Sequence, residues 1–141
     1  MAENFRALRV LVVEDELLIR WSIAETLAHA GHTVIESEDG VTAILAVKNA
    51  AEAIDAVVLD YRLPDSNDLT LLGTIRRLSP ESAVVLMTAF GTPEVTKGAL
   101  DLGAYRVLHK PFEMGDLESL LREACSPGDS QRLRHSSPQD S

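Results

Sequence analysis

The sequence predicts an α/β protein, a five-stranded parallel sheet with helices on both faces. Three observations predict it. Five short apolar runs rich in β-branched residues alternate, five times over, with stretches whose apolar residues recur at helical spacing. Runs such as Val57-Val58-Leu59 are apolar at every position, as strands covered on both faces are. Several of the runs stop on a polar residue, and open α/β sheets place their chemistry in the crevice beyond the carboxyl ends of the strands. Right-handed crossovers then leave few arrangements.

The first strand covers residues 10–13 and ends in the acidic loop Glu14-Asp15-Glu16. A helix is predicted over about 16–29, with Ile19, Ile23, Leu27 and Ala30 facing the sheet and acidic residues in its first turn, where the macrodipole favours them. Gly31 is a natural stop. The second strand is 33–36. Asp39-Gly40 turns the chain into a second helix marked by Val41, Ile44, Leu45 and Val47. The third strand, Ala56-Val57-Val58-Leu59-Asp60, ends on a carboxylate, and Pro64 forces a loop after it. A third helix runs from Asp68-Leu69 to Leu78 through Leu72 and Ile75, with Gly73 weakening it by up to ~1 kcal/mol relative to Ala. The fourth strand, 83–88, ends on the hydroxyl of Thr88. Thr92 caps the next helix with Pro93 at its first position, and that helix ends near Gly103. The fifth strand, 105–109, leads into Lys110-Pro111-Phe112, and the last helix, 114–125, carries Leu117, Leu120, Leu121 and Ala124. Residues 1–8 read as an N-terminal extension. Residues 126–141 turn to Ser, Pro, Asp, Gln and Arg without an apolar stripe, the composition of a disordered tail or linker stub.

With 141 residues, one domain is the default, and a chain of this length can bury a substantial core. The net charge of −9 argues against a nucleic-acid surface, which needs clustered Lys and Arg to replace counterions. The single cysteine, Cys125, allows no internal disulfide and fits a reducing compartment. No apolar stretch approaches the ~20 residues that span a bilayer, so a soluble, cytoplasmic protein without membrane contact is expected.

Four polar signals fall just past strand ends: Glu14-Asp15, Asp60, Thr88 and Lys110. Taken singly, each has an ordinary explanation as a strand-end cap, a solvated helix start or a surface lysine. Parallel strands bring all four to one edge, and the flavodoxin-like strand order 2-1-3-4-5 makes the strands that carry them neighbours. Two carboxylates about 5 Å apart repel by roughly 3 kcal/mol at an effective dielectric near 20, so such a cluster protonates or binds a cation. Hard oxygen ligands suit Mg²⁺, which takes one or two carboxylates and keeps waters. A divalent cation and an ammonium beside one carboxylate form a place where that carboxylate can attack a phosphoryl group. An aspartate-nucleophile phosphatase would carry a second aspartate at the position of Arg62, and a dinucleotide binder would carry glycines where Glu14-Asp15-Glu16 stand.

Over residues 9–125 the chain resembles the receiver domain of two-component response regulators. Val10-Leu11-Val12-Val13-Glu14-Asp15-Glu16 is similar to the family's first strand and acid pair. Val57-Val58-Leu59-Asp60-Tyr61-Arg62-Leu63-Pro64-Asp65 resembles the phosphoacceptor stretch, Leu86-Met87-Thr88-Ala89 the strand ending in the signalling hydroxyl, and Lys110-Pro111-Phe112 the lysine-proline pair. The wording around Asp60 and Thr88 looks closest to receivers of sigma-54-dependent activators. The resemblance implies a non-enzymatic phosphoacceptor. Asp60 takes the phosphoryl group from a sensor histidine kinase or a histidine phosphotransferase. Glu14, Asp15, Asp60 and the backbone carbonyl of Arg62 hold Mg²⁺, Thr88 and Lys110 contact the phosphoryl oxygens, and Lys110-Pro111 is cis. It also implies signalling to a downstream protein, with a weak dimer through the fourth helix, fifth strand and fifth helix. The rival class is a receiver-like binding module that works without phosphorylation. Two positions depart from the family. Val107 stands where an aromatic is usual, with Tyr105 expected on the same strand face, and Asp68 stands where a glycine is usual. Trp21 lies off the apolar stripe of the first helix and either covers the core edge or is exposed. His109 reads as a surface or half-buried residue, and Phe112 as packing.

Overall fold

The computed structural model describes residues 6–126, and five strands alternate with five helices along them. The elements are β1 (Arg9–Val13), α1 (Leu17–His29), β2 (Thr33–Ser37), α2 (Gly40–Lys48), β3 (Ala56–Asp60), α3 (Thr70–Leu78), β4 (Ala83–Thr88), α4 (Pro93–Asp101), β5 (Arg106–His109) and α5 (Met114–Ala124). The sheet order is β2-β1-β3-β4-β5, and every pairing is parallel.

The continuous apolar runs have a direct cause. Successive side chains of a strand point to opposite faces, and here both faces are covered. Leu11, Val13, Val57, Leu59, Val84 and Leu86 form one layer with Ala43 of α2, Leu72 and Ile75 of α3, and Ala99 of α4. Their sequence neighbours Val10, Val12, Ala56, Val58, Val85 and Met87 form the other with Ile23 and Leu27 of α1 and Leu117, Leu120 and Leu121 of α5. Fully burying each Val or Leu contributes ~1.5–3 kcal/mol, so a one-residue slip of any central strand would exchange one packed layer for the other.

The helices correct the expected pattern in detail. The first begins at Leu17, so the acidic residues precede it and none lies in its first turn. Ile23 and Leu27 are buried and Ile19 packs against them, while Ala30 is the C-cap. In α2, Ala43 is buried and Ile44 and Val47 pack on the core, but Val41 and Leu45 are 60% and 50% exposed. Gly40 does not turn the chain but opens the helix, and Asp39 caps it by accepting from Thr42 N at 2.9 Å. In α3, Leu71 joins Leu72 and Ile75 in the core, whereas Leu78 is exposed. Thr92 caps α4 as expected, its hydroxyl accepting from Val95 N at 3.2 Å.

The described residues before β1, 6–8, are tied to the domain. Leu8 is buried, its N–H donates to Nδ1 of the buried His32 at 3.0 Å, and its carbonyl accepts from Thr33 N. The expected tail from residue 127 onward lies outside the described residues, as do residues 1–5.

Candidate functional site

Four strand ends meet at one edge of the sheet. The ladder between β1 and β2 runs one step past the strand, with Glu14 N donating to Ser37 O at 3.0 Å, and this turns the Glu14 side chain inward. Glu14 is only 1% exposed, and its carboxylate accepts from Lys110 Nζ at 2.9 Å and from Glu16 N at 3.1 Å. Asp15, one residue on, is exposed. Asp60 closes β3, is 6% exposed, and accepts from Arg62 N at 3.3 Å. Thr88 closes β4, is buried, and its hydroxyl accepts from Phe90 N at 3.2 Å. Lys110 follows β5, tied to β4 by Lys110 N donating to Thr88 O at 2.8 Å, and its bond to Pro111 is cis. The Lys110 ammonium lies between the two buried acids, 2.9 Å from Glu14 Oε1 and 3.4 Å from Asp60 Oδ1.

These groups line a pocket of about 260 Å³ together with Glu16, Tyr61, Arg62 and Ala89. Glu14, Asp15 and Asp60 each offer one carboxylate oxygen, all within 4.8 Å of one another. A larger groove of about 570 Å³ lies between α2 and the loop after β3, but its acids are already engaged. Asp65 accepts from Gly40 N and Val41 N at the start of α2, and Asp68 accepts from Thr70 N at the start of α3. The groups that close the strand ends therefore converge in the smaller pocket.

Burial pushes the Asp60 carboxyl up to about 7, and the negative charge of Glu14 adds to the rise against the opposing pull of Lys110 and the Arg62 N–H. Burial pulls the Lys110 ammonium down, yet its hydrogen bond to Glu14 and the fields of Asp60 and Glu14 outweigh that, and the net shift is upward. The one ammonium does not neutralise the acids around it. Three hard carboxylate oxygens at this spacing fit a divalent cation with an oxygen-rich shell, and a second positive charge would let Asp60 ionise at neutral pH. An ionised Asp60 is a nucleophile with a cationic ammonium beside it.

Two features lay beyond sequence reasoning. Arg20, one turn into α1, sends its guanidinium back to the acidic loop, Nη1 donating to Glu14 O at 2.9 Å and Nε pairing with Glu36 of β2 at 3.1 Å. A cation shortly after an acidic loop was the available signal, but the sequence alone does not say which backbone carbonyl it reaches. At the rim, the Arg62 guanidinium stands 6.0 Å from the ring centroid of Phe90, which is 74% exposed.

The fifth strand also departs from expectation. Val107 packs in the layer of Leu86, but Tyr105 precedes β5 and packs in the opposite layer. Tyr105 and Val107 therefore do not share a face, because strand alternation does not extend back to residue 105. His109 is exposed and lies opposite Thr88 in the register. Trp21 is 55% exposed beside Leu17 and Leu18, at 64% and 72%. Phe112 packs on the layer of α1 and α5.

The response regulator receiver domain family matches residues 10–122. The DNA-binding transcriptional regulator NtrC of Escherichia coli is 33% identical over 117 residues, which are 83% of this chain and 24% of NtrC. The response regulator protein FleR of Pseudomonas aeruginosa is 37% identical over 115 residues, 82% of this chain and 24% of that protein. The chain thus spans about a quarter of the length of these relatives. A CheY-like receiver domain structure from Methanospirillum hungatei superposes with a TM-score of 0.81 at 24% identity, covering 92% of this chain and 99% of that one, a likeness of fold.

Proposed function

The chain belongs to the response regulator receiver domain family, and on that premise we propose that it accepts a phosphoryl group on Asp60 from a phosphohistidine, with Mg²⁺ as cofactor. The observation that carries this reading is the convergence of Asp60, Glu14, Asp15, Thr88 and Lys110 on one small pocket. A carboxylate oxygen of Asp60 attacks phosphorus, the bond from phosphorus to the donor histidine nitrogen breaks, and that nitrogen keeps the electron pair. Glu14, Asp15, Asp60 and the Arg62 carbonyl would hold the cation, which when bound supplies positive charge against the phosphoryl oxygens. Lys110 already stands within 3.4 Å of Asp60 and offers its ammonium to an oxygen of the transferred group. Thr88 ends the adjacent strand, with its hydroxyl free to donate because the bond it makes to Phe90 N uses it as acceptor.

A histidine kinase or histidine phosphotransferase is the donor that this chemistry calls for. Leu17 and Leu18 follow the pocket residue Glu16 and Phe90 follows the pocket residue Ala89; all three are exposed and give such a donor an apolar surface beside the pocket. Hydrolysis of the acyl phosphate resets the domain, and no other enzymatic turnover is proposed. Output to a downstream protein, and any weak self-association, would use the face of α4, β5 and α5, where Leu100 and His109 are exposed.

Incubation with acetyl phosphate and Mg²⁺ should add one phosphoryl group, labile at alkaline pH and absent from Asp60→Asn. Labelling of that variant at the wild-type level would move the site elsewhere. No labelling of the wild type by any phosphodonor would leave a binding module that acts without phosphorylation.

A further inference from the structure

We propose that Arg20 is the positioning residue that orients Asp15, and that it thereby sets the divalent-cation affinity of the pocket; this rests on the reading of that pocket given above. Of the three carboxylates, two are held by their own contacts. Glu14 is held by Lys110 and Glu16 N, and Asp60 by Arg62 N and Lys110. The Asp15 side chain is exposed, and no hydrogen bond or ion pair holds its carboxylate among the described residues. Its placement follows from the backbone that carries it.

That backbone is the Glu14–Asp15 peptide. A peptide is planar, so gripping its carbonyl fixes the plane from which the next Cα projects. The carbonyl of Glu14 accepts from Arg20 Nη1 at 2.9 Å, and upstream the loop is tied to β2 by Glu14 N donating to Ser37 O. The guanidinium is itself fixed. Its stem rises from α1, its Nε is paired with Glu36 at 3.1 Å, and the side chain is only 14% exposed. Arginine suits this place because its planar fork serves a carboxylate and a carbonyl in two directions at once, which one ammonium does not do. Partners that orient a ligand rather than bind the ion typically change metal affinity ~10–100-fold when removed.

The test is Mg²⁺ titration by calorimetry on the full chain, beside the Mg²⁺ dependence of labelling by acetyl phosphate. Arg20→Met should weaken Mg²⁺ binding about tenfold. The Mg²⁺ midpoint for labelling should rise by the same factor, while the rate at saturating Mg²⁺ stays within about twofold of wild type. Arg20→Lys, which keeps the charge and the stem and guards against misfolding of the methionine variant, should show an intermediate loss. Glu36→Gln removes the charge of the pair but keeps an amide oxygen that can accept from Arg20 Nε, so the guanidinium stays directed at the carbonyl, and this variant should stay within about twofold of wild type. Wild-type affinity in both Arg20 variants overturns the proposal, as does a loss in Glu36→Gln as large as that in Arg20→Met. If wild type itself neither binds Mg²⁺ nor is labelled, the reading of the pocket falls, and the proposal with it; if wild type does both while the Arg20 variants bind equally well, only the role of Arg20 falls.

Discussion

Asp60 holds its proton to about pH 7 in the metal-free domain, because burial and the neighbouring Glu14 both oppose a further negative charge. In the unfolded chain the same carboxyl titrates near 3.8. The folded state therefore binds the proton more tightly. The stability this gives is fully present below pH 3.8 and is lost as pH rises through about 7. Without metal, melting should thus fall between pH 5 and pH 7.5 through this group. Asp60→Asn cannot ionise, so it should flatten that dependence and stabilise the domain at pH 7.5 by up to ~4 kcal/mol. Melts in chelator at the two pH values check this, and a variant with the wild-type slope would place the effect on another group.

At the scale of elements, α4 is the thinly anchored helix. Ala99 is its one buried residue, with Val95 partly buried against the same layer. Its approach to the sheet depends on close contacts that only small residues allow. A methyl group at Gly91 would lie 2.5 Å from His109 Cε1 and 2.9 Å from Thr88 Cγ2, and one at Gly98 would lie 2.8 Å from Leu69 Cδ1. The loop from β4 to α4 therefore rests directly on Thr88 and on the residue paired with it in β5. Gly91→Ala should destabilise the domain by ~1–3 kcal/mol through this overlap, and His109→Ala in the same chain should recover part of the loss in denaturant melts. The same geometry bears on signalling. If Thr88 turns toward a phosphoryl oxygen, the loop at 89–91 is the first structure it touches. Val107 is too small to fill space over the distance an aromatic would, and Tyr105 packs on the other side of the sheet. Amide shifts on addition of a beryllofluoride mimic should be concentrated in 89–91 and the start of α4. Strong shifts running through Val107 into α5 would count against this.

For the molecule as a whole, a pocket that takes Mg²⁺ as proposed links cation binding to folding. A ligand that binds only the folded state raises its stability by mass action, and here it also relieves repulsion among Glu14, Asp15 and Asp60, which offer oxygens within 4.8 Å of one another. Thermal melts at pH 7.5 should move upward with millimolar Mg²⁺. Asp15→Ala removes one ligand without opening a cavity, since Asp15 is exposed, and should lose most of that shift. An equal shift in both proteins would place the cation elsewhere. Among the described residues no helix is long and apolar enough to cross a membrane.

The alternation of strands and helices and the polar groups at the strand ends were legible in the sequence because they follow from local rules. Val57-Val58-Leu59 has no polar face to offer water, so β3 had to be interior. Parallel strands send all their carboxyl ends to one edge, so Glu14, Asp60, Thr88 and Lys110 had to meet once the order was 2-1-3-4-5. The exposure of Val41 and Leu45 was not legible, because apolar spacing on a short helix fits more than one face and packing on α3 and the sheet selects among them. Nor was the side on which Tyr105 packs, since that depends on β5 starting one residue later, at Arg106. Arg20 was the largest omission. Its partners are a backbone carbonyl and a side chain of another strand, and a long flexible cation has a partner only once three elements have been brought together around it. Local patterning decided which residues gather at the edge of the sheet; only the tertiary structure decided which of them are buried, paired or left free to take a ligand, because desolvation and hydrogen-bond geometry exist only in the assembled fold.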